Sequence, residues 1–412
     1  MEETFPFHFP LSACLLSLLS TLFFLLDVAL DVWAIMSLYQ DGQYVYMGVL
    51  IALLLCSSIL VHVFSWIWYS DPETSTGKFA SIDKFAREYG LIGPLHVVQL
   101  GLFLRFASLV EISICKIIQR SDRSQEGVAV FLKHDLSVLR LFEMFSESVP
   151  QLVLMITFTM QKQGLQLFTG FKIAGSLMSI AISVLLYHCN MRDFVPEDQK
   201  MGWSSSAVFF LWNLFLITPR VLAVALFASI LPCYIAAHFL SWWVLLFLWA
   251  WRQKTDFMDN EGGEWLYRAT VGLIWYFSWF KVSKGKTKVK SIIYHVCMGA
   301  DIGLLLGLWF WKRSVDSARL NPLPFNPYVL IGALPALYIT GLLLKLLYYW
   351  KFHPNCPSLR FKDRDETPQI QLPRRASEAD DSVEMVSADL EYQQTVSGTW
   401  KRMRNMVINF YY

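Results

Sequence analysis

Within long apolar runs this chain places a set of acids and bases: Asp27 and Asp31, Arg140, Glu143 and Glu147, Arg220, and Asp301. A charge at mid-membrane is unfavourable by about 2.5 kcal/mol on insertion scales, and by on the order of 10 kcal/mol on an isolated helix in simulations. Such residues therefore pair or face a polar cavity. At 3.6 residues per turn Arg140, Glu143 and Glu147 share one face, with Leu139, Phe142 and Phe145 turned elsewhere. Asp27 and Asp31 are one turn apart and share another. Counting about 1.5 Å per residue puts Asp27 and Arg220 both roughly 24 Å deep and Glu147 roughly 18 Å deep, with Arg140 nearer the starting face. Matching depth and opposite sign predict that Arg220 pairs with Asp27, Asp31 or both. The chemistry open to such a row is the passage of phosphate, amine and carboxylate groups across an apolar core. The plain alternative is a set of buried ion pairs that hold helices in register. Arg105, Arg268 and Asp301 are candidates for the same set, whereas Lys345, near a span end, is expected to snorkel.

The elements that must position these residues centre on HDLSVLRLFEMFSESVPQLVLMITFTMQ (134–161), which begins as an amphipathic helix and continues past Pro150 as an apolar span. Apolar runs at roughly 11–39, 44–69, 135–160, 166–188, 205–230, 233–251, 291–311 and 327–350 give eight spans. Two further runs, roughly 90–115 and 264–282, are interrupted by Arg105, Glu111 and Arg268. They read as helices that enter one leaflet without crossing. With the N-terminus in the cytosol, inward connections carry roughly sixteen Lys and Arg and outward ones roughly four, so both termini are expected in the cytosol. The second span echoes the sixth, and each is followed by a charge-interrupted shorter helix. The fold class is thus an all-α polytopic membrane protein in two similar tandem halves, residues 1–200 and 201–352. Residues 353–412, polar and bearing Pro354, Pro357, Pro368 and Pro373, form a disordered cytosolic tail whose end, Trp400 to Tyr412, turns apolar and basic again.

Composition supports this class: 55% of the 412 residues are hydrophobic and only 17% charged, too few charges for a soluble chain of this length. The seven cysteines form no CxxC pattern and suggest neither zinc nor a disulfide framework, and the acidic start shows no cleaved signal peptide. No HExxH, GxSxG or Walker-type loop occurs, His188 and His238 stand alone, and no cofactor, metal or nucleic-acid partner is expected. Trp66, Trp68, Trp249 and Trp251 near span ends read as an interfacial belt.

The tail carries two short signals. Arg374-Arg375-Ala376-Ser377 has the spacing that basophilic kinases accept, which makes Ser377 a candidate phosphorylation site. Glu378-Ala379-Asp380-Asp381-Ser382 offers an aspartate-directed protease a site after Asp381, with the small Ser382 following the cut. Asp380, Asp389 and Asp365 are weaker alternatives, because Asp381, Leu390 and Glu366 follow them. Both signals also fit a merely solvated tail.

The blocks LSVLRLFEMFSESVPQL (136–152), FLWNLFLITPRVLAVALF (210–227), TDFM (255–258), EWLYR (264–268), YFSWF (276–280) and YYWKFHP (348–354) resemble the XK-related family. The resemblance covers nearly the whole membrane region. It implies a caspase-activated phospholipid scramblase of the plasma membrane that exposes phosphatidylserine on apoptotic cells, with eight spans and two partly inserted helices. It also implies an effector caspase and a single-span chaperone of the basigin or neuroplastin type as partners. The family's intramembrane charges fall on Asp27, Asp31, Glu143 and Arg220, and with them on Arg140, Glu147 and Asp301. Two departures stand out. The family has Asp-Tyr-His followed by Arg where this chain reads Leu186-Tyr187-His188-Cys189, and the tail lacks a DxxD motif. Asp256-Phe257-Met258-Asp259 fits that spacing, but in a tight loop against the membrane.

The expected function is therefore passive, ATP-independent lipid exchange along the row of charges, not an enzymatic reaction. A gradient-coupled transporter of small polar solutes is the alternative.

Overall fold

In hydrocarbon every backbone N–H and C=O must be satisfied within the chain, so apolar runs of this length become helices. The computed structural model describes residues 9–69, 80–118, 123–162, 167–192, 202–258, 260–282, 287–315 and 326–351. Among the described residues eight helical stretches are long and apolar enough to cross a membrane. They are α1 (Leu11–Gln40), α2 (Tyr44–Tyr69), the continuous stretch α6 (Arg123–Glu143) to α7 (Val149–Lys162), α8 (Leu167–Arg192), α9 (Trp203–Ile230), α10 (Pro232–Arg252), α12 (Thr287–Val315) and α13 (Pro327–Lys351). Three short helices, α3 (Ser81–Glu88), α4 (Ile92–Val97) and α5 (Gly101–Ile117), separate the second span from the third. One, α11 (Glu261–Phe277), separates the sixth from the seventh.

The interrupted run near 90–115 is thus two helices, broken at Gln99, whose φ of 62° ends α4. At 17 residues each, α5 and α11 fall short of the roughly 20 that cross a bilayer. Span, span, shorter helix, span, span therefore occurs twice in order. Each shorter helix is tied to the end of the preceding span through one arginine in the same way. Arg105 of α5 donates from Nε to Ser65 Oγ (2.8 Å) and from Nη2 to Ser65 O (3.0 Å). Arg268 of α11 donates from Nε to Thr255 Oγ1 (2.9 Å) and from Nη2 to Thr255 O (3.0 Å).

Helix starts and close approaches follow local chemistry. Asn260 caps α11 by accepting from the Gly263 N–H at 2.5 Å, with Glu261 and Glu264 in the first, electropositive turn. Glu264 also accepts from the N–H groups of Phe257 and Met258 (2.9 and 2.8 Å), both side chains being buried. Phe257 and Met258 are therefore held by the Glu264 side chain rather than free to extend into a protease, and Asp259 lies outside the described residues. Helix α13 packs directly on α9 because Gly341 has no side chain: a Cβ there would come within 3.1 Å of the Phe215 carbonyl carbon.

The organising stretch departs from simple helical period at one place. Met144–Ser148 form a π-helical turn just before Pro150, whose ring would crowd the carbonyl of Ser146 in a regular helix. The main core surrounds this turn: Val138, Leu139, Phe142, Phe145, Val149 and Ile156 are all at most 1% exposed.

Candidate functional site

The charges expected to form one row are divided between two networks. The first joins α1 to the organising stretch. Arg140 sits between two carboxylates, with Nη1 2.7 Å from Glu143 Oε2 and Nη2 3.0 Å from Asp27 Oδ2, and its guanidinium lies 5.4 Å from the Phe24 ring centre. One turn further along α1, Asp31 accepts from Gln151 Nε2 at 3.1 Å. Glu147 is buried within the π-helical turn, where the hydroxyls of Ser57 and Ser146 lie 2.6 Å apart. The π-helical turn offsets Glu147 from the regular spacing that would align it with Arg140 and Glu143.

Exposure across this network is graded. The side chains of Asp27 and Arg140 are 36% and 28% exposed and that of Glu143 is 13%, whereas Glu147 as a residue is 6% exposed. Asp27 lies 16 residues, or about 24 Å, from the start of a helix about 45 Å long, which is mid-membrane depth. Four acids, one base, a glutamine and two serines thus make a polar cluster where α1 and α2 meet the organising stretch, with Asp27 of α1 and Arg140 more exposed than Glu143 and Glu147.

The second network is sealed. Arg220, 1% exposed, forms an ion pair with Asp301 and donates from Nε to the Tyr276 carbonyl at 2.9 Å, with its guanidinium 4.5 Å from the Tyr276 ring centre. Asp301 also accepts from Trp242 Nε1 at 3.0 Å and lies 3.1 Å from His238 Nε2, while His238 Nδ1 is 3.0 Å from the Tyr276 hydroxyl. Three helices, α9, α10 and α12, meet on this one carboxylate, and α11 joins them through Tyr276, which Arg220 and His238 contact.

The expected pairing of Arg220 with Asp27 or Asp31 is therefore wrong. Depth matched, but depth says nothing of position around the bundle, and each cation found an acid within its own half. Nor is His238 solitary. Its spacing of four from Trp242 puts both on one face of α10, a signal available in the sequence once Asp301 is seen to face them. Arg105 and Arg268 belong to neither network: Arg105 pairs with Asp135 at 3.0 Å, and Arg268 lies 3.5 Å from Glu264. Asp135, overlooked in the sequence, is only 7% exposed. On α3, Asp83 accepts from the Tyr69 hydroxyl at 3.0 Å, and burial pushes its carboxyl above the usual range.

Two further expectations need correction. Lys345 does not snorkel: its amine points inward, 2.7 Å from His295 Nε2 and 2.9 Å from Ser291 Oγ. Of the belt tryptophans, Trp66 and Trp251 are about half exposed, but Trp68 is buried with Nε1 3.5 Å from Met258 Sδ, and Trp249 packs on Trp275 and Trp279. His188, also read as solitary, stacks against Phe209 at 4.0 Å. The tail positions Asp365, Ser377, Asp380, Asp381, Ser382 and Asp389 lie outside the described residues. Among the described residues no group of His, Cys, Asp and Glu is arranged to hold a metal ion.

Among the described residues, eight helices long and apolar enough to span, two shorter helices between them and buried ion pairs define an all-α polytopic membrane protein that carries ionisable groups within its spans. Comparison with known proteins narrows the class. A family model described as XK-related protein matches residues 15–354. An XK-related protein 8 of Tetraodon nigroviridis is 41% identical over 361 residues, 86% of this chain and 87% of that one. The XK-related protein 8 of Gasterosteus aculeatus is 43% identical over 338 residues, 81% of each chain, and that of Pan troglodytes 36% over 344 residues, 83% of this chain and 84% of that one. The chain belongs to the XK-related family.

Proposed function

We propose that this protein is a phospholipid scramblase of the plasma membrane, which lets headgroups pass between leaflets in both directions without ATP, a coupled gradient or any chemical step. The observation that carries this reading is the graded exposure of the Asp27, Arg140 and Glu143 side chains at mid-membrane depth. A headgroup crossing an apolar core loses its hydration, which makes spontaneous exchange very slow. Each 1.4 kcal/mol removed from that barrier raises the rate about tenfold. The exposed side of this cluster along α1 solvates phosphate and amine in turn while the acyl chains stay in lipid. Arg140 contacts phosphate, and Asp27, Asp31, Glu143 and Glu147 contact the amine. The sealed pair of Arg220 and Asp301 serves instead as a structural tie. Membership of the XK-related family supports the same reading.

Exposure of phosphatidylserine in apoptotic cells follows if the path is opened by an effector caspase, with both termini in the cytosol. In this reading the enzyme cuts after Asp381, about thirty residues beyond α13, and releases the apolar, basic segment from Trp400 to Tyr412 that holds the path shut. Such a latch needs only modest energy, since moving a closed-to-open ratio from 99:1 to 1:99 takes about 5.5 kcal/mol. Phosphate on Ser377 would add negative charge beside the cut and change cleavage or docking. A single-span chaperone of the basigin or neuroplastin type escorts the protein to the surface. The test is to express the intact chain, Asp381→Ala and a chain ending at Asp381, and to measure surface phosphatidylserine with and without caspase activation. The intact chain is expected to respond to the caspase, the truncated chain to be active without it, and Asp381→Ala to stay silent. A truncated chain that reaches the surface and stays silent would contradict the latch, and a full response from Asp381→Ala would move the cut elsewhere.

A further inference from the structure

A cavity of about 100 Å³ lies where the organising stretch and α8 meet α9, α11, α12 and α13. Its walls come from Leu141 and Phe145 of the organising stretch, the end of α8, α9 from Phe209 to Arg220, the end of α11 and the segment after it, the start of α12 and the latter part of α13, so its outer part lies at one membrane face. Lys345 stands six residues, or about 9 Å, before the end of α13, and Trp350 nearby is 85% exposed, as an interfacial tryptophan would be. Three cations, Arg220, Lys281 and Lys345, line the cavity, and none of its lining residues is a carboxylate. Arg220 is neutralised by Asp301; the two lysines have no ion pair among the described residues.

The donor inventory is more telling than the charge. Lys345 offers three N–H donors and uses two, on Ser291 Oγ and His295 Nε2. That accepting role places the His295 ring hydrogen on Nδ1, 3.1 Å from the Tyr338 hydroxyl, which in turn donates to the His295 carbonyl at 3.1 Å. The imidazole is thereby fixed, and the third Lys345 N–H is left for something else. The Lys345 amine lies 5.6 Å from the ring centre of Trp212. Trp212 is 6% exposed and its Nε1 has no hydrogen-bond partner. Deeper on the same helix, Arg220 Nη2 is also buried without a partner. Lys281 has none among the described residues, and burial lowers its amine to about 8. An unpartnered buried donor is unfavourable by about 1–3 kcal/mol, so several facing one cavity point to an acceptor-rich occupant.

We propose that this cavity binds the phosphate oxyanion of an anionic phospholipid headgroup, with Lys345 and Lys281 supplying charge and Trp212 Nε1 a neutral donor. Charge-assisted N–H bonds to phosphate are the strong ones, and the aromatic side chains of Phe209, Tyr348 and Tyr349 suit the apolar glycerol end of such a lipid. The site does not depend on lipid transport, because binding is measured without exchange.

The test uses the purified full-length protein in detergent and isothermal titration with three probes: dioctanoyl phosphatidic acid, dioctanoylglycerol with the same chains but no phosphate, and inorganic phosphate. One saturable site for phosphatidic acid and none for dioctanoylglycerol is expected. Lys281→Met with Lys345→Met should weaken that site about tenfold or more, while Lys312→Met leaves it unchanged. Lys345→Arg, which keeps the charge, guards against misfolding of the double variant and should retain binding. Inorganic phosphate binding as tightly as the lipid would keep the oxyanion site and assign it to free phosphate. Equal binding of dioctanoylglycerol and phosphatidic acid, or unaltered binding by a folded double variant, would overturn the proposal.

Discussion

Asp301→Leu is the sharpest probe of the sealed network. It removes the one carboxylate that pairs with Arg220 among the described residues and, with it, the acceptor used by Trp242 and His238. The pair is buried to 2% and 4% side-chain exposure, so solvent cannot replace the lost partner. Breaking a buried pair on one side destabilises by about 3–5 kcal/mol, because a charge is left uncompensated, whereas replacing both members by apolar residues of similar volume is often neutral. Arg220→Met alone and Asp301→Leu alone should therefore each lower surface delivery and melting temperature, and the double variant should recover much of both. The coupling read from this cycle should be at least about 2 kcal/mol in favour of the double variant. Asp27→Ala is the contrast: Arg140 keeps Glu143 at 2.7 Å as a second carboxylate, so losing Asp27 should lower the melting temperature less than Asp301→Leu does. Fluorescence-detected gel filtration after graded heating reads all four proteins in crude detergent extract. A double variant as unstable as either single one would refute the reasoning, as would single variants with normal melting.

Glu147→Leu should leave abundance normal or raised, since it removes a buried acid, yet slow lipid exchange; normal exchange in reconstituted vesicles would return Glu147 to a purely structural role. Arg105→Met removes the cation 3.0 Å from Asp135, which is 7% exposed, and should destabilise by about 3–5 kcal/mol, with Arg105→Met plus Asp135→Leu partly restoring the melting temperature. Gly341→Val drives a branched side chain against Leu216 and the Phe215 backbone, and should lower stability by about 1–3 kcal/mol on the same heating assay without touching the Asp27, Arg140 and Glu143 cluster.

The spans were legible because length and apolarity determine which runs cross a bilayer; the second span, for example, lies at 44–69 in both readings. The charges were legible for the same reason: an acid at position 27 or 301 interrupts an otherwise apolar run. Which charge meets which was not. Arg220 could be placed by depth but not by azimuth, since eight spans can be arranged around one another in many ways that leave every depth unchanged. Local geometry was hidden as well. The π-helical turn at Met144–Ser148 shifts Glu147 relative to Arg140, and only Pro150 hinted that the period would break there. Trp68 looked like an interfacial residue because it sits near a helix end, yet Met258 from the loop after α10 covers it. Contacts of that kind depend on packing between distant segments, which hydropathy along the chain does not encode.

The most direct measurement of the central reading is lipid exchange in vesicles that contain the purified protein and no ATP, ion gradient or other protein. Fluorescent phosphatidylserine placed in both leaflets is bleached from outside, so half the signal is lost without exchange and nearly all with it. The chain ending at Asp381 is expected to let nearly all the signal be bleached, and the same chain carrying Glu147→Leu to do so far more slowly. A folded, correctly inserted chain ending at Asp381 that leaves half the signal protected would contradict the reading of this protein as a scramblase.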